Sequence, residues 1–436
     1  MKHLSEKNKM TKLHIKRWND VGNTFNFEVR SHDDNGRNIE WSIFRDCVLV
    51  GDSSFYPSVF LHSKNFDDIV ISPIIEKIMS LDSASLHKIG EMESDAFGGG
   101  KTYNKVDCPV FFFIYNTDNY YHFLYDSLPY LWTYLKIKEV IPEIKLLMNY
   151  AGPHKRDHHP FVKDTLKLLG ITNDDILIVN SQNCYSTVII SSSLTHNQLS
   201  SNPPRKEIFD VINALKKGSG TSNTSNHIEK IYVSRRTWVH NNLENIGTNY
   251  TTRRKLVNED EVVTTVKDFG FVEVFCENMS MKDKIDLFSQ AKFVLGPIGG
   301  GMVNTLFCKP QAHVFSLNSP CFFDINARFE YCMSHTKLVH MNISEFANSD
   351  PIKENMRVRV NYLGKDCVGE ISQKIEDDKY EVRLAKRNVA GWSVEEQYDL
   401  IVFDVRDLVP IDLGLNSPWK VDTQKLSETL KTLEKK

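Results

Sequence analysis

From residue 109 onward, short apolar runs alternate with longer stretches in which apolar positions recur every three or four residues. Short runs of this kind are typical of buried strands, and the longer stretches are typical of amphipathic helices. In the first half of the chain, strands are predicted at 109–115, 144–148 and 176–179, and helices at 120–138, 161–169 and 206–217. Strands that alternate with helices indicate parallel βαβ units.

A run of small and polar residues at 218–226 interrupts this pattern and is typical of a linker. The alternation then resumes, with strands predicted at 231–234, 271–275, 293–295 and 313–317, and helices at 259–269, at 281–291 and from Met302. We therefore predict an α/β protein with a pair of Rossmann-like halves, and we expect a ligand in the cleft between them.

The C-terminal part follows a different pattern, in which apolar and polar residues alternate. Five short strands are predicted at 358–360, 369–371, 380–384, 401–403 and 408–410. They favour a small all-β barrel of the SH3 or Tudor type. The predicted domains are 1–217, which begins with short β segments, 228–350, the barrel at 353–415, and a helical tail at 416–436.

Composition excludes several classes of protein. The 436 residues carry a net charge of −3, so the basic excess typical of nucleic-acid-binding proteins is lacking. The longest apolar run, 110–114, is far shorter than the ~20 residues of a membrane span. The segment 1–16 is basic and polar, so we expect a cytoplasmic protein of bacterial or viral type, unless a targeting segment precedes it. The eight cysteines are widely spaced, which indicates neither a zinc site nor a disulfide framework.

The glycine-rich segment 296–301, Gly-Pro-Ile-Gly-Gly-Gly, follows a predicted strand and precedes a predicted helix. Glycines let the backbone approach a ligand closely, and a helix N-terminus presents N–H groups with partial positive charge. The segment therefore predicts a diphosphate cradle formed by the backbone of Gly299, Gly300, Gly301 and Met302. A tight turn without a ligand is the alternative, since neither a Rossmann fingerprint nor a P-loop lysine is present.

Two arginines, Arg235 and Arg236, follow Ser234 at the end of the predicted strand 231–234. Ligands of open α/β sheets bind beyond the carboxyl ends of the strands, so we expect both side chains at the same sheet edge as the glycines. A guanidinium can hold a phosphate through two hydrogen bonds. A solvated basic pair is the alternative, but the arginines and the glycines together favour a phosphorylated ligand.

The segment 119–129 begins the first predicted helix with aromatic residues around His122 and Asp126. Because these two residues are four apart, they lie on one face of a helix. Such a pair can bind a sugar or act as a general base. In the alternative interpretation, the histidine only hydrogen-bonds the next turn of an amphipathic helix.

Three segments, taken in order, resemble glycosyltransferase family 61. Tyr-Tyr-His-Phe-Leu-Tyr-Asp-Ser-Leu-Pro at 120–129 is similar to the family signature Tyr-Tyr-His-Trp-Leu-x-Asp-x-Leu-Pro. Val-Ser-Arg-Arg at 233–236, with Leu-Val-Asn-Glu-Asp-Glu at 256–261, resembles the family's Ser-Arg and Asn-Glu-x-Glu elements. Gly-Pro-Ile-Gly-Gly-Gly-Met-Val-Asn at 296–304 resembles its Gly-Pro-His-Gly-Ala-Gly-Leu-Thr-Asn loop.

The resemblance implies a GT-B fold, with the nucleotide-sugar donor on the second half and the acceptor mainly on the first. It implies an inverting transferase that uses mostly UDP-sugars, as do the family's xylosyl-, arabinosyl- and N-acetylglucosaminyl-transferases, and a glycan or glycoconjugate acceptor. No Asp-x-Asp motif lies between apolar strands. We therefore expect neither metal nor cofactor, with arginine and a helix dipole taking the charge of the leaving diphosphate.

The same resemblance implies roles for single residues. Asp126 or His122 is expected to act as the general base, with Glu330 as a further candidate. Either Glu259 or Glu261 is expected to bind ribose or to orient Arg235, although carboxylates in a first turn also stabilise helices. The expected donor-binding residues are Arg235, Arg236, Glu259, Glu261, Glu277, Gly299, Gly300, Gly301, Met302 and Asn304.

The loop departs from the family at Ile298, where the family has histidine, and at Gly300, where it has alanine. If that histidine contacts the donor, this chain recognises its donor differently or has lost activity. The rival hypothesis is therefore a degenerate binding protein whose Tudor-like domain recognises a partner. In that domain, Tyr362, Trp392 and Tyr398 form either an aromatic cage or part of the core. A dehydrogenase is disfavoured, since no Gly-x-Gly-x-x-Gly follows the first strand of either half.

Overall fold

The computed structural model divides into two compact units. The described residues are 39, 41–50, 60–63, 69–70, 102–115, 117–150, 157–180, 182–191, 194–195, 204–220, 228–236, 255–320, 332–347, 354–363, 365–385, 398–410 and 418–433. Of these, the first unit contains the residues up to 220 and 277–289, and the second contains 228–236, 255–276 and the residues from 290 onward.

The first unit is built on an eight-stranded sheet. Its strands are β1 (Trp41–Val50), β2 (Phe60–Ser63), β3 (Ile69–Val70), β4 (Asn104–Val106), β5 (Val110–Phe112), β6 (Lys145–Met148), β7 (Ile176–Ile178) and β8 (Asn183–Ser191). They lie in the order β3-β2-β1-β8-β5-β6-β7, with β4 beside β8. The strands β4 to β8 pair in parallel, and β1 joins β8 antiparallel. The pattern of the sequence did not predict β8, which is the central strand of this sheet.

The helical segment predicted from Tyr120 is confirmed, but it is not one regular α-helix. It consists of α1 (Tyr120–His122), a π-helical turn (Phe123–Ser127), a 3-10 turn (Leu128–Tyr130) and α2 (Leu131–Val140). Pro129 has no N–H to donate and its ring crowds the preceding turn, which explains why the α pattern is interrupted here. Two further helices, α3 (Pro160–Leu168) and α4 (Ile208–Ser219), agree with the predicted ranges to within two residues.

The second unit contains a five-stranded sheet that is parallel throughout. Its strands are β9 (Lys230–Val233), β10 (Val272–Val274), β11 (Phe293–Pro297), β12 (His313–Leu317) and β13 (Lys337–Met341), in the order β10-β9-β11-β12-β13. The helices α5 (Glu259–Lys267) and α6 (Met281–Gln290) connect strands of this sheet along the chain. Parallel strands with helical connections confirm the α/β class.

After β14 (Ser344–Phe346) the chain forms a five-stranded antiparallel sheet where a barrel is predicted. Its strands are β15 (Arg357–Tyr362), β16 (Lys365–Glu376), β17 (Lys379–Ala385), β18 (Tyr398–Asp404) and β19 (Val409–Pro410). Each of the five predicted strand segments lies within one of these strands, except that Leu408 is outside β19. Buried Val358, Ile371 and Val382 belong to the apolar core of this sheet.

After this sheet the chain pairs again with β14. Strand β20 (Trp419–Val421) pairs antiparallel with β14, so the β15–β19 sheet is an insertion between two neighbouring strands. Helix α7 (Thr423–Leu433) follows. Trp419, Leu426 and Leu430 are buried in the same core cluster as Tyr232 of β9. The C-terminal segment thus completes the core of the second unit. Among the described helices, none has the length and apolar character needed to cross a bilayer.

Candidate functional site

Two of the segments singled out in the sequence begin at the same edge of the second unit's sheet. Strands β9 and β11 are parallel neighbours, with Leu295 of β11 opposite Tyr232 of β9. Both strands therefore end at one edge, where β9 leads into Arg235 and β11 leads into Ile298. This edge is the usual ligand-binding position in open α/β sheets.

The side chain of Arg235 lies against the glycine loop. Its Nη1 donates to the backbone carbonyl of Ile298 at 3.3 Å. A Cβ atom at Gly299 would lie only 3.2 Å from the same Nη1 and 3.4 Å from Cζ. The guanidinium therefore occupies the space that a side chain at position 299 would need. The structure brings together the two elements predicted to contact a phosphorylated ligand.

The glycines of this loop have different surroundings. A Cβ atom at Gly296 would lie 2.9 Å from the carbonyl oxygen of Val233, and one at Gly301 would lie 2.8 Å from Val233 Cγ1. Both positions therefore require glycine so that the loop can pack on β9. A Cβ atom at Gly300 would have no atom of another described residue within 4 Å, its chain neighbours apart. The backbone of the loop is thus closely packed at two positions and open at a third.

The helical turn after the loop begins two residues before the predicted start at Met302. It is a 3-10 helix, Gly300–Phe307, and its first bond joins the N–H of Met302 to the carbonyl of Gly299 at 3.0 Å. The N–H groups of Gly300 and Gly301 precede that bond and lie outside the pattern of the helix. Buried Asn304 donates from Nδ2 to the carbonyl of Gly301 at 2.8 Å, which holds the turn in place.

A buried carboxylate fixes the backbone that carries Arg235. Glu259, at the start of α5, is 1% exposed. Its Oε1 accepts from the Arg235 N–H at 2.8 Å, from the Tyr232 hydroxyl at 3.0 Å and from Ser234 Oγ at 3.3 Å. Its Oε2 is buried and has no hydrogen-bond partner in the described part of the chain. Burial raises the pKa of Glu259 to about 7, although the donors to Oε1 offset part of this effect.

Arg236 is paired with carboxylates. Its Nε and Nη2 donate to the two oxygens of Glu273 at 2.8 and 2.6 Å, and its Nη1 pairs with Asp260. The hydrogen bonds that Arg236 donates to Glu273 hold the pKa of Arg236 above its usual range, despite partial burial. The bidentate pair ties the segment after β9 to β10. The two adjacent arginines therefore differ in their contacts, since Arg236 pairs with Glu273 and Asp260 and Arg235 lies at the glycine loop.

Glu261 and Glu277 are the other predicted donor-binding carboxylates. Glu261 is exposed and accepts from Asn258 Nδ2 at 3.3 Å. Asn258 also exchanges two hydrogen bonds with the backbone of Val421, at 2.8 and 3.0 Å, and so joins α5 to β20. Glu277 is half-buried in the 3-10 turn Cys276–Asn278 that follows β10.

In the first unit, His122 and Asp126 form a hydrogen-bonded pair. His122 Nδ1 lies 2.6 Å from Asp126 Oδ2, and the two side chains are 20% and 24% exposed. Asp126 lies within the π-helical turn, a conformation that is frequent at functional sites. Asn119 Oδ1 accepts from the His122 N–H at 3.2 Å and fixes the start of the segment. Because Nδ1 is engaged by the carboxylate, Nε2 is the ring nitrogen that can take a proton from a ligand.

The structure also places residues near this motif that the sequence reasoning missed. Lys284 is 2% exposed, and its Nζ lies 4.4 Å from the centre of the Tyr120 ring. The Tyr120 hydroxyl donates to Met281 Sδ at 3.6 Å. A lysine on the apolar face of α6, beside Met281 and Ile285, is the signal that could have identified this contact. A second histidine–carboxylate pair joins His159, the residue before α3, to Asp118. His159 Nε2 lies 3.3 Å from Asp118 Oδ1.

Some of the residues predicted from the sequence belong neither to the group around Arg235 nor to the group around His122. Glu330 and Trp392 lie outside the described residues, as does the side chain of Tyr398. Tyr362 packs against the core of the antiparallel sheet, with its ring centre 6.2 Å from that of Phe403. Within the described ranges, no group of three or more His, Cys, Asp or Glu side chains has a geometry suited to a metal ion.

The comparisons with known proteins point to one family. No curated protein matches the chain. Residues 120–315 match the family model described as Glycosyltransferase 61. The match begins at Tyr120, the first residue of the His122–Asp126 motif, and it includes Arg235 and the glycine loop. These residues and this match support the assignment of the chain to glycosyltransferase family 61.

Proposed function

We propose that this glycosyltransferase is an inverting enzyme of the GT-B type that moves a sugar from a UDP-linked donor to a hydroxyl of a glycan or glycoconjugate. Xylose, arabinose and N-acetylglucosamine are the proposed donor sugars. The observation that carries the proposal is the guanidinium of Arg235 against Gly299, at the carboxyl edge of a parallel sheet. A cation and backbone N–H groups then lie at the position where α/β proteins bind phosphates.

The second unit is proposed to bind the diphosphate. Arg235 would pair with phosphate oxygens through its planar guanidinium, while the N–H groups of Gly300 and Gly301 would donate to the same group. Negative charge develops on the diphosphate as the sugar leaves, and fixed donors stabilise it without reorganisation. We propose that these groups neutralise the leaving diphosphate without a divalent metal ion. Glu259 would act through Arg235, because its contacts are to the backbone and side chains of that segment.

The first unit is proposed to supply the general base. In a single displacement, the acceptor oxygen bonds to the anomeric carbon while the bond from that carbon to the diphosphate breaks. The bonding pair leaves with the diphosphate, and the configuration at the carbon inverts. The acceptor proton would pass to His122 Nε2, and Asp126, 2.6 Å from Nδ1, would orient the ring and stabilise the imidazolium.

The antiparallel sheet at 357–410 is proposed to be an SH3- or Tudor-like module. Its insertion between β14 and β20, which pair with each other, would let it extend from the second unit without interrupting that unit's core. An acceptor polymer or a protein partner is its proposed ligand.

A donor screen tests the proposed function. Purified protein is mixed with UDP-xylose, UDP-arabinose, UDP-N-acetylglucosamine or UDP-glucose, and UDP release is measured with and without glycan acceptors. We expect release from at least one donor, and an NMR spectrum of the product should show inverted anomeric configuration. The absence of turnover with every donor, together with no binding of UDP in calorimetry, would exclude the proposal.

Ile298 favours one alternative. Its side chain is 3% exposed, so an apolar buried group stands where the family has histidine, and residue 298 meets Arg235 through its carbonyl. A catalytically degenerate protein would still bind UDP at Arg235. Clear UDP binding without product from any donor and acceptor would support this second candidate.

A further inference from the structure

A cluster of uncharged polar side chains lies beyond the glycine loop on the same sheet. Ser316 is the fourth residue of β12 and Asn318 follows that strand, while His340 and Asn342 are at the end of β13. Because β11, β12 and β13 are parallel neighbours, this polar cluster lies at the same carboxyl edge as the glycine loop. The family match ends at residue 315, so the cluster lies beyond it.

The four side chains form one hydrogen-bonded network. Ser316 Oγ lies 2.8 Å from His340 Nδ1 and 3.1 Å from Asn318 Oδ1. Asn318 Nδ2 donates to Asn342 Oδ1 at 3.0 Å. Ser316 is fully buried and Asn318 is 7% exposed, whereas His340 is half-buried and Asn342 is exposed. The network therefore leads from the sheet interior to side chains at the surface of the edge.

The network engages one of the two ring nitrogens of His340. The Ser316 hydroxyl has one proton, and it donates this proton to Asn318 Oδ1. Nδ1 of His340 lies within hydrogen-bonding distance of both Ser316 Oγ, at 2.8 Å, and Asn318 Nδ2, at 3.4 Å, so Nε2 is the ring nitrogen that lies outside the network. An imidazole nitrogen next to an exposed carboxamide suits the hydroxyl groups of a sugar, because those hydroxyl groups both donate and accept hydrogen bonds.

A backbone contact joins this cluster to the glycine loop. The N–H of Ile298 donates to the carbonyl of Leu317 at 2.9 Å, directly between Ser316 and Asn318. Ile298 itself brings no polar side chain to the loop. A sugar attached to a diphosphate at Gly300 and Gly301 would have the uncharged polar side chains of this cluster at the same sheet edge.

We propose that His340 and Asn342 form the subsite that recognises the hydroxyl groups of the donor sugar, with Ser316 and Asn318 holding them in position. This inference rests on the proposed function, since it assumes that UDP binds at Arg235 and the glycine loop. The subsite binds the sugar and not the nucleotide, so its loss changes the affinity for UDP-sugars without changing the affinity for UDP.

The test compares UDP with UDP-sugars in calorimetry on the full chain. His340→Ala and Asn342→Ala are each titrated with UDP, UDP-xylose, UDP-glucose and UDP-N-acetylglucosamine. We expect the Kd of UDP to stay within about twofold, while the Kd of the best UDP-sugar rises about fivefold or more, as for the loss of one or two hydrogen bonds. His313→Ala is the matched control, because His313 lies at the opposite end of β12 and should change neither Kd.

The outcomes separate this inference from the proposed function. If wild-type protein binds neither UDP nor any UDP-sugar, the proposed function fails and this inference fails with it. If wild-type protein binds UDP but both variants bind every UDP-sugar as the wild type does, only the sugar subsite is overturned. An equal loss for UDP and UDP-sugars would also overturn it. Asn342 is exposed, so its variant answers the question even if His340→Ala lowers stability.

Discussion

The backbone N–H of Arg235 donates to Glu259 Oε1 at 2.8 Å, and this bond links the residue at the glycine loop to a carboxylate that is almost completely buried. The same oxygen accepts from Tyr232 and Ser234, so one atom holds the end of β9 and the first residues after it. A buried carboxylate is costly to ionise when one oxygen accepts three hydrogen bonds and the other has no partner among the described residues. Its protonation state should therefore affect stability.

The contribution of Glu259 to the stability of this chain should decrease as the pH rises between about 4.5 and 7. The pKa of Glu259 is raised from its ordinary value of 4.5 to about 7, chiefly by burial. The folded state therefore binds this proton more tightly than the unfolded state. The stabilisation is fully present below the pKa of the unfolded state and is lost as the pH rises through the pKa of the folded state. Relative to Glu259→Gln, we expect wild-type protein to lose up to about 3 kcal/mol of unfolding free energy over this range. Chemical denaturation of both proteins at several pH values measures the difference.

Glu261→Gln is the matched control, because Glu261 is in the same helical turn but is exposed. It should leave the pH dependence as in the wild type. Parallel pH profiles for wild type and Glu259→Gln would show that the buried carboxylate does not titrate in this range.

Substitution of the two adjacent arginines should separate ligand binding from folding. Arg235→Ala should raise the Kd of UDP at least about tenfold, since it removes the charged donor at the loop, and should change stability little. Arg236→Ala leaves Glu273, 9% exposed, without its bidentate partner. It should lower the unfolding free energy by about 3 kcal/mol. Calorimetry with UDP and chemical denaturation measure the two effects, and similar UDP affinities for both variants would contradict the assignment.

Much of the second unit could be predicted from the sequence. The predicted strand 313–317 is β12 itself, and the meeting of Arg235 with the glycine loop was expected, because carboxyl ends of parallel strands share an edge. The burial of Glu259 could also have been found. Glu259, Val262, Val263 and Val266 have the spacing of one helix face, and the three valines mark that face as buried.

Other features depend on contacts between distant parts of the chain. Strand β8 pairs with β1, and the paired residues Trp41 and Ser191 are 150 positions apart in the sequence. No local pattern specifies such a partner. In the same way, Trp419 is buried, and its backbone N–H donates to the carbonyl of Lys255, a residue far away in the sequence. The tail had been predicted as a helix, but its place in the core of the second unit follows only from the three-dimensional structure.

Removal of the His122 imidazole should slow the chemical step and not donor binding. We expect His122→Ala to lower kcat by about 10²- to 10⁴-fold, the usual contribution of a general base. Asp126→Asn should lower kcat less, because the ring remains but loses its carboxylate partner at 2.6 Å. Steady-state kinetics with saturating donor, together with the Kd of UDP, distinguish the two effects.

A second histidine–carboxylate pair in the same unit provides the control. His159→Ala breaks the 3.3 Å contact with Asp118 and should lower kcat by less than about tenfold, since this histidine is not the proposed base. If His159→Ala and His122→Ala reduced kcat equally, the loss at His122 would reflect the packing of the unit, and the assignment of the base would be withdrawn.

Alanine at three positions of the glycine loop should give three different results. At Gly296 the new Cβ would meet the carbonyl oxygen of Val233 at 2.9 Å, so Gly296→Ala should lower the unfolding free energy by about 1–3 kcal/mol. At Gly299 it would meet the Arg235 guanidinium at 3.2 Å, a flexible group that can move aside. Gly299→Ala should therefore keep the fold but weaken UDP binding about fivefold or more, because Arg235 leaves its position.

At Gly300 a Cβ atom has open space, and the family loop that this segment resembles carries alanine there. Gly300→Ala should therefore leave the unfolding free energy unchanged and the Kd of UDP within about twofold of the wild type, since the methyl group meets no atom of the described residues and the N–H stays available. Thermal unfolding and calorimetry on the three variants give the comparison. If Gly300→Ala abolished UDP binding while Gly299→Ala did not, the diphosphate would lie over residue 300 and not beside Arg235, and the proposed arrangement of the donor site would have to be reversed.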